Sequence, residues 1–140
     1  MLHHTVLRVV AKLLIPVILL FALYVQFHGD YSPGGGFQAG VIFAAGIILY
    51  ALIAGLDDTM EAIPPGVLKI LSASGVLLFA GVGVDTLLLG GEFLDYDLLA
   101  AKPTAGQHLG IFLVELGVGI TVASTMLLLY YAFAGREEDQ

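Results

Sequence analysis

Glu115 is an acid inside an apolar run, flanked by Ile111, Phe112, Val114, Leu116 and Val118. A carboxylate in such surroundings is costly unless it faces protein or a water-filled cavity. A desolvated carboxyl with a suitable neighbour is also equipped to exchange protons. His108 precedes Glu115 by seven residues, so on a helix the two share nearly one face, about 10 Å apart along the axis. Asp85 lies in the preceding apolar run, about 6 Å from its outer end at the rise of a helix. Antiparallel neighbours would bring Asp85 and Glu115 to similar depth, where His108 and Gln38 could join them around one vestibule. Two carboxylates with carbonyl oxygens suit a proton or a hard monovalent cation. The competing reading is structural, with Glu115 held by a neighbouring helix and Asp85 a solvated interfacial acid.

Two further features have the right residue types for chemistry. Lys12 lies about one turn into the first apolar run, and Pro16 four residues on cannot donate to its carbonyl. Lys12 either snorkels to the surface or pairs with a carboxylate on a partner subunit. The second feature is the loop His28-Gly29-Asp30-Tyr31-Ser32-Pro33-Gly34-Gly35-Gly36-Phe37-Gln38. A glycine run before a helix can present backbone N–H groups to an anion. No lysine follows it and no strand precedes it, so neither a P-loop nor a dinucleotide fingerprint fits. A tight turn that lets another chain approach closely is the simpler reading, with Phe37 docking the helix start into a partner. No enzyme template is present: His3 and His4 lack metal-ligand spacing, and no serine has a histidine and an acid nearby. No cofactor and no metal are expected.

The elements that must position these residues follow from composition. Of the 140 residues 59% are apolar and 12% charged, against about a quarter charged in soluble domains. A soluble chain this short could not bury that much apolar surface. Five Lys+Arg against twelve Asp+Glu exclude a nucleic-acid binder, and the lack of cysteine excludes thiolate sites and disulfides. The expected fold is an all-α integral membrane protein, one membrane domain over residues 1–140. It has four spans at approximately 9–27, 37–56, 67–89 and 109–134, joined by short loops rich in proline and glycine. The N-terminal run reads as a retained first span rather than a signal peptide. Arg8, Lys12, Lys69 and Arg136 fall on one side and Lys102 on the other, which places both termini in the cytoplasm. Stripes of small residues, Gly36/Gly40/Ala44, Gly106/Gly110 and Gly117/Thr121/Thr125, mark packing faces. With only four spans, other subunits are expected among the partners of those faces.

The run HGDYSPGGGFQAGVIFAAG resembles the signature of the MnhB family, a small membrane subunit of Mrp-type multisubunit cation/proton antiporters. His28, Ser32, Pro33, Gly34, Gly35, Gly36, Phe37, Gln38 and Gly40 match it, while Ala39 stands where glycine is frequent. Length and helix plan also fit, and the specificity of the resemblance lies in residues 28–46. The resemblance implies an accessory subunit of a plasma-membrane complex that exchanges sodium, or another monovalent cation, for protons. It implies partners similar to the antiporter-like subunits of respiratory complex I, and no redox cofactor. The subunit would complete the assembly and could lend Glu115, His108 or Asp85 to the ion path. The alternatives are a pure scaffold in a related hydrogenase-type membrane complex, or a small homo-oligomeric channel.

Overall fold

The computed structural model describes residues 2–27, 35–88 and 103–138, with side chains over 5–27, 35–85, 87–88 and 110–136. The described residues form five helices and no strand: α1 Leu2–Phe27, α2 Gly36–Ala54, α3 Leu56–Ala62, α4 Pro65–Leu88 and α5 Pro103–Glu138. Four of them carry apolar stretches long enough to cross a bilayer, Thr5–Phe27, Gly36–Ala54, Pro65–Asp85 and Gly110–Arg136. Helices are the element expected there, because lipid offers no partner for backbone N–H and C=O groups.

The ends of the helices differ from the sequence expectation in three places. The first helix begins at Leu2 rather than near Val9, so Lys12 lies about three turns in rather than one. The last helix begins at Pro103, a residue expected in the preceding loop. Proline suits the first turn of a helix, where its missing N–H would have had no acceptor. The second loop is mostly helical. Gly55 breaks the chain after α2 with φ +104°, a conformation that favours glycine. The seven residues of α3 follow, with Asp57 and Asp58 in the first turn, where acids complement the helix dipole. Pro64 and Pro65 then launch α4, and the Pro64 carbonyl accepts from the Val67 N–H at 3.0 Å.

The helices pack as an open row in the order α1, α2, α5, α4, with α3 tucked under α2 and α5. The span window of α1 is 11% buried and that of α2 28%, which makes α1 a flank and α2 an inner member. The stripes Gly36/Gly40/Ala44 and Gly117/Thr121/Thr125 pack inside the chain, while Gly106 of the third lies outside the residues whose side chains are described. A Cβ on Gly40 would lie 2.8 Å from the Gly119 carbonyl, and one on Gly117 would lie 2.8 Å from the Gly75 carbonyl. Ser72 and Thr125 hydroxyls meet at 3.3 Å on the same α4–α5 seam. Close backbone approach of this kind is how helices associate without a hydrophobic driving force. Gly46 of α2 meets Leu19 and Ile18 of α1, and the antiparallel register then places Lys12 level with Leu52 and Ile53 near the end of α2.

At the end that holds both termini, Ala44, Leu56, Leu68, Leu127 and Tyr131 form the buried apolar cluster. The Tyr131 hydroxyl donates to the Ile63 carbonyl at 3.0 Å and approaches that of Thr59 at 3.4 Å. This ties α5 to both ends of the α3–α4 corner. Thr59 is fully buried, and its hydroxyl donates to the Gly55 carbonyl at 2.9 Å.

Candidate functional site

The polar centre of the molecule lies at the opposite end, where α1 finishes and α2 begins. Glu115 of α5 is half-buried there, and its carboxylate lies over Gly35. A Cβ on Gly35 would fall 2.8 Å from Oε1 of Glu115, and one on Gly36 would collide with the Glu115 backbone carbonyl. The glycines are therefore required by proximity, since any side chain would push α2 off α5. The first N–H groups of a helix have no intrahelical acceptor and carry partial positive charge. The N-terminal end of α2 has no capping side-chain hydrogen bond of its own and no acid in its first turn. The side chain that Gly35 meets at this helix start is that of Glu115.

Gln26 completes the cluster, and its residue type and spacing give no hint of that in the sequence. It is 7% exposed, its amide overlies Gly119, and Gly119 in turn lies beside the Gly36 carbonyl. Its Nε2 has no hydrogen-bond partner among the described residues. Only packing singles it out: among the described side chains of α1, Gln26 is buried together with Ala11, Ala22 and Val25. Beside the cluster the rings of Phe27 and Phe112 stack, with centroids 5.7 Å apart, and close α1 onto α5.

The remaining candidates are dispersed. Gln38 is exposed, and lies two residues, or about 200°, around α2 from the Gly36 face that meets Glu115. Asp85 is exposed on α4. Thr125 of α5 meets Ser72 of α4 and Gly117 packs on Gly75, whereas Glu115 faces α2. Glu115 thus faces α2 while Asp85 lies on α4, on the other side of α5, and the residues brought together at this end are Glu115, Gly35, Gly36 and Gln26. Lys12 is exposed on α1, and Phe37 points outward at 61% exposure. His108 lies on the unbroken helix of α5, two turns before Glu115, but its side chain is outside the described residues, as are His28, Ser32, Pro33 and Gly34. The hydroxyls of Thr121 and Ser124 donate to the carbonyls of Gly117 and Ile120 at 2.8 and 2.6 Å. Such bonds to the preceding turn satisfy polar side chains within a span.

Residues 6–128 match the family described as a domain related to the MnhB subunit of Na+/H+ antiporter. Proteins named "Putative antiporter subunit mnhB2" from Staphylococcus aureus strains Newman, JH1 and Mu3 are each 33% identical to this chain over 136 residues. The similarity covers 95% of this chain and 96% of each relative. By the match over residues 6–128 and by similarity along nearly the full length of these relatives, the chain belongs to the family of MnhB-related domains.

Proposed function

We propose that the chain is an accessory subunit of a multisubunit antiporter that exchanges sodium, or another monovalent cation, for protons across the cell membrane. The observation that carries this reading is the family match over residues 6–128, with relatives named as antiporter subunits along nearly the whole length. Its partners are the other subunits of that complex, including large complex-I-like ones. Sodium and protons are cargo rather than resident cofactors, and the role is transport rather than catalysis of a chemical conversion. Both termini lie in the cytoplasm, a placement supported by Arg8, Lys12, Lys69 and Arg136 at the end of the row that holds them.

Within that role Glu115 is the residue assigned to ion or proton transfer. A carboxyl group seated at the start of α2, in a stretch of α5 whose sequence neighbours are apolar, is an exchangeable group. His108 stands two turns further along the same helix as a second candidate on the route. The test is antiport measured in vesicles holding the intact complex. Glu115→Gln keeps the shape of the side chain and removes its charge, so it is expected to lower activity and shift its pH profile at normal assembly. Unchanged activity and profile would refute the assignment. Normal activity in Glu115→Gln, together with loss of the complex in Glu115→Ala, would favour the scaffold reading, which the seating of Glu115 on the α2 terminus also supports. Cation flux from the chain reconstituted alone would favour a homo-oligomeric channel.

A further inference from the structure

At the end of the row that holds both termini, α1 runs on past its neighbour α2. Gly46 of α2 meets Leu19 and Ile18, so Lys12 stands level with Leu52 and Ile53, and α2 ends at Ala54. Arg8, four residues before Lys12, lies about 6 Å further along, past that end. The two cations share one face of α1, because four residues turn a helix only about 40° beyond a full turn. Both are exposed, and neither meets a carboxylate among the described residues. α1 itself contains no acid from Leu2 to Phe27. α3 packs under α2 and α5 with Leu56 and Thr59 buried, and its acids Asp57, Asp58 and Glu61 are exposed away from that packing face.

The surroundings of the basic pair are apolar. Val6, Leu7, Val9, Val10 and Leu13 are each between 46% and 68% exposed. Such side chains belong among acyl chains, so the pair stands where hydrocarbon gives way to headgroups, and long basic side chains reach outward from that depth. Two cations one turn apart, without a counter-charge of their own, match a group that carries several acceptor oxygens. A guanidinium presents a fork of N–H donors to phosphate oxygens, and an ammonium adds a point charge. We propose that Arg8 and Lys12 bind the phosphate of an anionic phospholipid in the leaflet at this end of α1. Its acyl chains lie along the exposed apolar side chains of the same helix. A single carboxylate on a neighbouring subunit's span would match Lys12 and leave Arg8 unanswered.

The experiment uses the protein purified with its companion subunits, in phosphatidylcholine nanodiscs that carry a trace of photoreactive lipid. The probe is phosphatidylglycerol or phosphatidylcholine with the same photoreactive acyl chain, and peptide mass spectrometry reads where it attaches. Phosphatidylglycerol is expected to label α1 between Val6 and Val17 more than phosphatidylcholine does, by roughly fivefold for each basic residue. Arg8→Gln and Lys12→Gln should each cut that labelling about fivefold. Exchanging the two, Arg8→Lys with Lys12→Arg, should keep most of it. Lys69→Gln removes an exposed cation of α4 near the same end and should leave the labelling of α1 unchanged. Equal labelling of α1 by the two lipids in the unaltered protein would overturn the proposal, and that comparison needs no variant. So would a loss in Lys69→Gln as large as in Arg8→Gln, the mark of a diffuse charge effect. Attachment of a photo-crosslinker at Leu13 to another subunit, rather than to lipid, would also overturn it.

Discussion

Gly36 and Glu115 meet backbone to backbone across α2 and α5, and at this scale the clearest consequence is steric. A Cβ at Gly36 collides with the Glu115 carbonyl, whereas one at Gly66 meets nothing within 4 Å. Gly36→Val should therefore destabilise the purified protein by about 1–3 kcal/mol, the usual cost of over-packing. Gly66→Ala should leave it unchanged or raise it by up to about 1 kcal/mol through helix propensity. Thermal unfolding in detergent checks the pair, and equal melting temperatures for the two variants would sink the argument. Glu115 was legible in the sequence because a carboxyl among apolar residues is conspicuous. Gln26 was not, because a neutral amide near the end of a span is unremarkable until burial and an unpartnered donor single it out. The glycine run was legible as a place of close approach. That the approaching group is Glu115 of the same chain could not be read from spacing, since Gly36 and Glu115 lie 79 residues apart.

At the scale of elements, the four apolar runs appeared where expected, because hydropathy over some twenty residues decides whether a helix can cross lipid. The boundaries moved where one residue type has two meanings. Pro103 begins α5 instead of lying in a loop, and the acidic stretch after Gly55 is helical instead of part of a loop. A helix of seven residues is far too short to be stable alone, so α3 depends on its docking against α2 and α5. The Tyr131 hydroxyl at 3.0 Å from the Ile63 carbonyl is the polar part of that docking. Tyr131→Phe is expected to cost about 1 kcal/mol and to speed amide hydrogen exchange in Leu56–Ala62 while the middle of α5 stays protected. Unaltered exchange in α3 would show that the apolar contacts of Leu56 suffice.

At the scale of the whole molecule, the described helices form the row α1–α2–α5–α4, in which α1 and α4 are the outer members. Large apolar side chains such as Leu13, Leu20, Phe21, Ile70 and Leu77 are each more than half exposed, a surface that lipid and neighbouring subunits cover in a membrane complex. The proposed orientation predicts that, in the cysteine-free background, Asp58→Cys is labelled by a membrane-impermeant thiol reagent only from the cytoplasm. Lys102→Cys should be labelled only from outside, and the reverse pattern would refute the orientation. Composition alone determined that this chain belongs in a membrane as four helices, because too few charged residues and too much apolar surface leave no other stable state. The local motif determined its family resemblance. Tertiary structure alone decided which helices touch, that Glu115 rests on the start of α2 and that Gln26 is buried beside Gly119. Those outcomes depend on the rotation and register of packed helices, and the hydropathy of a span is nearly the same for every rotation about its axis.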